Sequence, residues 1–241
     1  MTEAELESNQ KEISYYSNEM QDVAALKLFK NADSPTFLDI GCRHPVEKNN
    51  TLLLEENGWS GICVDIEDYS EEFKEKRQSP FYQMDSTSDE FMELLEKHFP
   101  QKIIHYISLD VDSANLQTLK NLLENGFKFI FMTFEHDYHY VRTEEVCGRW
   151  YGGERSKDEV EVCKSSSKNM LKTCGYNLLF ENVSFYEDIT RLIPHAWEDW
   201  WINPFCFQYK HLQRLRHISG KNMHFKDCVD RINMIVNSQI T

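Results

Sequence analysis

The chain has 241 residues, enough for one α/β domain with a full core, and its 41% hydrophobic and 27% charged content lies far from the composition of disordered chains. Its formal net charge of -14 repels phosphate backbones, and no run of Lys or Arg along the chain is dense enough to reverse this, which disfavours a nucleic-acid partner. A small-molecule or carbohydrate partner suits that balance better.

The first thirty residues are polar and acidic, without a basic start followed by an apolar run, so neither a secretory signal nor a membrane span is expected. Apolar Ile13, Tyr16, Met20, Val23 and Ala24 share a helical face and predict an amphipathic helix in an N-terminal extension, residues 1–33. After Ser34-Pro35, Thr36 to Ile40 reads as a buried strand ending at Gly41, Thr51 to Asn57 as a helix stopped by Gly58, and Gly61 to Asp65 as a second strand. Phe81 to Met84 is a short third strand. Phe91, Leu94, Leu95 and His98 then mark a helix closed by Pro100.

His105 to Leu109 is a fourth strand, Leu116, Leu119, Leu122 and Leu123 mark the next helix, and Phe127 to Phe134 is a fifth strand. The polar, aromatic stretch from His136 to Lys157 reads as a long loop, a feature that in a compact domain usually serves function. Val160, Cys163, Ser167, Met170, Leu171 and Cys174 restore helical spacing, and 176–186 and 197–205 read as two late strands. A helical tail over residues 206–241 ends with Phe225, Cys228, Val229, Ile232 and Ile235 on one face.

No repeat, low-complexity tract or linker interrupts the chain, so one continuous domain is expected over 1–241. The alternation predicts a Rossmann-like, three-layer α/β sandwich with a mainly parallel sheet, flanked by N- and C-terminal helices. Seven cysteines, an odd number with no C-x-x-C pair, suit reduced thiols in a cytoplasmic protein. Without an export signal, Asn49-Asn50-Thr51 and Asn182-Val183-Ser184 read as chance matches to the glycosylation pattern.

In such sheets ligands bind beyond the carboxyl ends of the strands. Every one of these ends is acidic here: Asp39-Ile40-Gly41, then Asp65, Asp85-Ser86, Asp110 with Asp112, and Glu135-His136. Gly41 permits a tight turn close to a ligand, Asp65 can accept from both hydroxyls of a ribose, and Asp85 can take an adenine amino group. The turn Gly41-Cys42-Arg43-His44-Pro45 has a single glycine and lacks the G-x-G-x-x-G amide cradle for a pyrophosphate, which argues against a nicotinamide cofactor. S-adenosylmethionine, with an adenosine and a sulfonium charge but no phosphate, suits a ring of carboxylates. Helix capping by these same acids is the competing explanation for each of them taken singly.

These segments resemble the FkbM family of class I methyltransferases. Phe37-Leu38-Asp39-Ile40-Gly41-Cys42-Arg43 is similar to the family's first motif, and Gly58-Trp59 with Gly61-Ile62-Cys63-Val64-Asp65 to the segment after it. Tyr106-Ile107-Ser108-Leu109-Asp110-Val111-Asp112, Phe134-Glu135-His136, Gly175-Tyr176 and Glu198-Asp199-Trp200-Trp201 with Pro204 resemble its later motifs in order. The resemblance implies an S-adenosylmethionine-dependent O-methyltransferase acting on a hydroxyl of a sugar, glycan or small natural product. The strand ends and the resemblance together put Asp39, Gly41, Cys42, Arg43, Asp65, Asp85 and Ser86 forward as the cofactor residues. The chain departs from the pattern at Cys42, Arg43 and Pro45, and at Ser113-Ala114-Asn115, where Gly and then Glu are usual. A catalytically inactive adenosine-binding or interaction protein of the same fold is the alternative.

Transfer to an unactivated hydroxyl requires a base, and Asp110, Glu135 and His136 are the catalytic candidates, His136 being favoured because its ordinary pKa lies nearest neutrality. Asp110, Asp112, Glu135 and His136 form a weaker alternative, a divalent metal site; a metal-free mechanism is preferred, since Asp110-x-Asp112 on an extended strand points its two side chains to opposite faces. Tyr138, Tyr140, Trp150 and Tyr151, with Arg142 and Arg149, make the long loop a candidate acceptor lid, with simple surface packing as the alternative. Trp197, Trp200 and Trp201 read as core and interface residues rather than a binding box.

Overall fold

The computed structural model describes residues 14–150, 152–153, 155–184 and 197–237. The strands are β1 (Thr36–Ile40), β2 (Ser60–Asp65), β3 (Phe81–Gln83), β4 (Ile103–Leu109), β5 (Lys128–Glu135), β6 (Asn177–Ser184), β7 (Glu198–Ile202) and β8 (Gly220–His224). They form one sheet in the order β3-β2-β1-β4-β5-β7-β6-β8. All run parallel except β7, which pairs antiparallel with both β5 and β6. The expected Rossmann-like α/β architecture is therefore observed, with β1 at the point where the strand order reverses.

Alternation along the strands builds two core layers. Phe37, Tyr106, Phe131 and Trp200 face one side of the sheet, and Leu38, Ile107, Met132 and Trp201 face the other. On the first side lie α1 (Gln21–Leu28), α2 (Leu52–Glu56), α3 (Ser70–Lys76), α8 (Tyr209–Ile218) and α9 (Phe225–Asn237). On the second lie α4 (Asp89–His98), α5 (Asn115–Glu124) and α7 (Lys157–Thr173). The strands carry apolar residues on both faces because both faces are covered. Trp200 and Trp201 are core residues, as expected.

Several expectations need correction. The N-terminal helix starts only at Gln21, because Met20 is in the left-handed region (φ 55°) and Asp22 turns back to accept from Tyr16 N, Ser17 N and Ser17 Oγ. Ile13 lies outside the described residues. Helix α3 gave no periodic signal, since Phe73 is its one buried residue. The stretch from His136 to Lys157 is not all loop: α6 (His139–Cys147) occupies its first half. The late strands are shorter than read, β7 stopping before a 3-10 turn at Pro204–Cys206; residues 185–186, at the end of the first, lie outside the described residues. The tail is not purely helical, since β8 extends the sheet along β6; as a partly exposed edge strand, GKNMH carries no apolar alternation.

Candidate functional site

A cleft of about 660 Å³ opens where β1, β4 and β5 end and β7 begins. Gly41, Cys42 and Arg43 form one wall, Asp110, Asp112, Glu135 and Asp137 a second, and Trp197 and Glu198 a third, so Trp197, expected in the core or at an interface, faces the cleft instead. The fourth, Asn18, Glu19 and Gln21, comes from the strap that leads into α1. Gly41 has φ 82°, and a Cβ there would lie 1.7 Å from the Asp110 carbonyl oxygen, so only glycine lets β1 and β4 approach this closely. Its N–H donates to Val64 O at 2.8 Å, and Asp110 N donates to Ile40 O at 2.9 Å, which pins the turn between neighbouring strands. Arg43, Asp112 and Asp137 all have positive φ, 48°, 50° and 54°. Three non-glycine residues held in the left-handed region at the rim of one cleft is the kind of local strain that gathers at functional sites.

Beneath the first turn lies a buried polar frame. Asn49 Oδ1 accepts from Thr51 N and Leu52 N at 3.0 and 2.9 Å at the entry to α2, while its Nδ2 donates to Cys42 O and His44 O. Arg77, its side chain fully buried, donates to Pro45 O, Asn49 Oδ1 and Glu55 Oε2 at 2.9–3.1 Å. Thr51 Oγ1 donates to Asp39 Oδ2 at 2.8 Å, and burial pushes the Asp39 carboxyl up to about 6. Sequence reasoning missed both Asn49 and Arg77. Asn49 carried a weak signal, an Asn just ahead of an apolar run, whereas a lone Arg in a polar stretch carried none.

The second wall is a set of coupled acids. Burial raises the pKa of Asp110 and lifts that of Glu135 well above the usual carboxylate range, helped by the neighbouring Asp110 charge. The two carboxyls share a hydrogen bond, which requires one proton between them. Arg155 pairs with Asp137 and lies 3.5 Å from Asp112, which is also 3.9 Å from Arg43. Asn115 ties the two strand ends together, accepting from Val111 N at 2.8 Å and donating to Glu135 O at 3.0 Å. Across the cleft, Trp200 Nε1 donates to Glu198 Oε1 at 2.5 Å, and burial raises Glu19 to about 7.

The other expected residues are placed as follows. Asp65 does not line the cleft: it is buried just behind the turn, its Oδ2 accepting from Arg43 N and its Oδ1 from Glu67 N. Asp85 is exposed and accepts from Thr87 N and Oγ1, while buried Ser86 bonds Thr118; neither lines the cleft. His136 does not line it either. Its Nδ1 accepts from Tyr138 N, so its proton sits on Nε2, 3.3 Å from Asp199 Oδ1. Burial lowers its pKa, and Lys164, itself lowered to about 8 by burial, packs against it. Among the described residues no three His, Cys, Asp or Glu side chains converge as metal ligands.

Of the expected lid residues, Tyr140 lines the cleft. Tyr138 instead faces Lys164, Trp150 donates to Arg155 O, and Arg142 donates to Asn222 Oδ1. Arg149 is exposed, and Tyr151 lies outside the described residues.

No family model matches the chain, so its likeness to the FkbM enzymes rests on the motifs themselves. No curated protein matches it. Among solved structures it is similar to the plantazolicin methyltransferase BpumL in complex with SAH, at 15% identity over 78% of this chain and 82% of that chain, with a TM-score of 0.39. The strand order through β6, with β7 reversed, is that of an open, doubly wound Rossmann-like sheet. No helix among the described residues is long and apolar enough to cross a membrane.

Proposed function

We propose that the chain is an S-adenosylmethionine-dependent O-methyltransferase acting on a hydroxyl of a sugar, glycan or small natural product. The observation that carries this reading is the Gly41 turn. Packed against the Asp110 carbonyl with no room for a Cβ, it brings the ends of β1 and β4 into one cleft. Its volume suits a small-molecule site. The reading includes one domain over 1–241 and, from the seven cysteines taken as reduced thiols, a cytoplasmic setting.

In this reading the turn Gly41-Cys42-Arg43 and the Asp65 carboxylate hold the cofactor, and Asp39 stiffens the turn from below. Adenosylmethionine supplies an electrophilic methyl carbon on a sulfonium centre. The acidic walls favour that positive charge, and buried carboxylates act more strongly than exposed ones because little water screens them. Asp110 takes the acceptor's proton. Glu135 holds its own proton and orients Asp110 through their shared hydrogen bond, while Arg155 steadies Asp137. His136 is a positioning residue that fixes the chain after β5. No metal enters this scheme.

Titration calorimetry with adenosylmethionine and adenosylhomocysteine tests the proposal. Asp65→Ala is expected to weaken binding far more than Asp112→Ala, since charge-assisted bonds to ribose hydroxyls contribute about 1.5–3 kcal/mol each. Equal losses, or no binding by the unmodified chain, would overturn the assignment. Binding without turnover on any hydroxylated acceptor would favour an inactive adenosine-binding protein.

A further inference from the structure

Charge is distributed unevenly over this fold. The chain has 40 Asp and Glu, yet none lies between Trp200 and Lys226, a stretch with five Lys and Arg. Lys221 is paired with Glu181 and Lys226 lies beyond the far end of β8, but Lys210, Arg214 and Arg216 share one helix, which folding sets beside other cations. Lys172 shares a groove of about 310 Å³ with Arg216, and Lys128, at the start of β5, lies near enough to Cys206 to act on its thiol. Helix α8 buries Leu215 and Ile218 and turns Lys210, Arg214, Arg216 and His217 outward.

Exposed apolar bulk coincides with these charges. Phe205, 84% exposed, and Tyr209, 73% exposed, are the most accessible large hydrophobic side chains among the described residues. They flank the start of α8. The patch lies at the end of the sheet where β5 and β6 begin and β7 finishes, opposite the strand ends that form the acidic cleft.

We propose that this basic, aromatic face docks on an anionic phospholipid surface and leaves the cleft open on the far side. Aromatic side chains settle at the headgroup level of a bilayer, and clustered Lys and Arg are drawn to anionic lipids. The acidic remainder of the protein is no obstacle. Charges more than about 8–10 Å away are largely screened at physiological salt. A plane touches only this end of the molecule, whereas a nucleic-acid strand would run past the patch onto acidic surface, which is why a lipid surface is the better match.

Sedimentation of the full chain with vesicles tests the proposal, comparing phosphatidylcholine alone with phosphatidylcholine mixed with phosphatidylserine. Binding is expected only to the mixed vesicles and is expected to weaken with added salt. Replacing Lys210, Arg214 and Arg216 together by Gln should lower affinity about 100-fold, roughly fivefold for each charge. Phe205→Ala with Tyr209→Ala should lower it independently, and this pair decides the matter if the charge variant fails to fold. Lys74→Gln with Lys76→Gln, on α3, should change nothing. The proposal is overturned by equal binding to both vesicle types, by an equal loss in the α3 control, or by preference for a single-stranded oligonucleotide over the mixed vesicles.

Discussion

Asp110 and Glu135 are both carboxyls at the mouth of the same cleft, yet their surroundings divide their roles. Burial raises both, but the Arg43 guanidinium beside Asp110 works against the rise, whereas the Asp110 and Asp137 charges push Glu135 further up, so Asp110 is the one of the pair that gives up its proton more readily. Asp110→Asn is therefore expected to abolish methyl transfer. Glu135→Gln, which keeps a neutral donor facing Asp110, should retain most of it. The sign of the pH effect follows: Asp110 must be deprotonated to act, so kcat/KM should fall as pH drops through a pKa raised above the ordinary carboxylate value. A pH–rate profile measures this. An acid limb at or below that ordinary value would remove Asp110 from the role.

The glycine turn keeps its shape through elements that never touch the cleft. Arg77, at the end of α3, reaches beneath the turn to α2, and its pair with Glu55 leaves the two side chains 0% and 10% exposed. It also satisfies Pro45 O and Asn49 Oδ1, so removing it strands several acceptors at once. Breaking one side of a buried ion pair typically costs about 3–5 kcal/mol. Arg77→Ala should destabilise the protein by about that amount in urea unfolding and weaken adenosylmethionine binding, whereas Lys76→Ala, exposed one residue earlier, should do neither. Stability unchanged by Arg77→Ala would show that the turn is held by its strand neighbours alone.

For the whole molecule, the cleft concentrates buried acids whose pKa values rise on folding, Asp39 to about 6 and Glu19 to about 7, with Glu135 and Glu198 well above the usual range. A carboxyl whose folded pKa exceeds its unfolded one binds its proton more tightly in the native state, so stability falls as pH rises between the two values. Each unit is about 1.4 kcal/mol, and the net charge of -14 adds repulsion in the same direction. The cofactor-free protein is thus expected to melt at higher temperature near pH 5 than near pH 8. Calorimetric melting across that range checks it, and a stability that rises with pH would mean these carboxyls are ionised and paired in the fold.

The sequence by itself determined the parts of this protein governed by local periodicity and local chemistry. The apolar runs of β1, β2, β4 and β5 alternate with helices at Phe91–Leu95 and Leu119–Leu122, so the parallel sheet and its acidic strand ends were legible, as was the turn at Gly41. Helices α3 and α6 were not, because α3 has only Phe73 to bury and α6 sets Val141 among polar residues, which leaves no repeating apolar signal, and neither was β8, which is a strand only because β6 offers it an edge. Tertiary structure alone decided which acids meet. It turned His136 away from the cleft toward Asp199, left Asp85 in a surface turn, and brought Glu19 and Glu198 from opposite ends of the chain to the cleft that Asp110 also lines. Those placements depend on how strands far apart in sequence are ordered in the sheet and on which side chains find partners once water is excluded, and a linear pattern encodes neither.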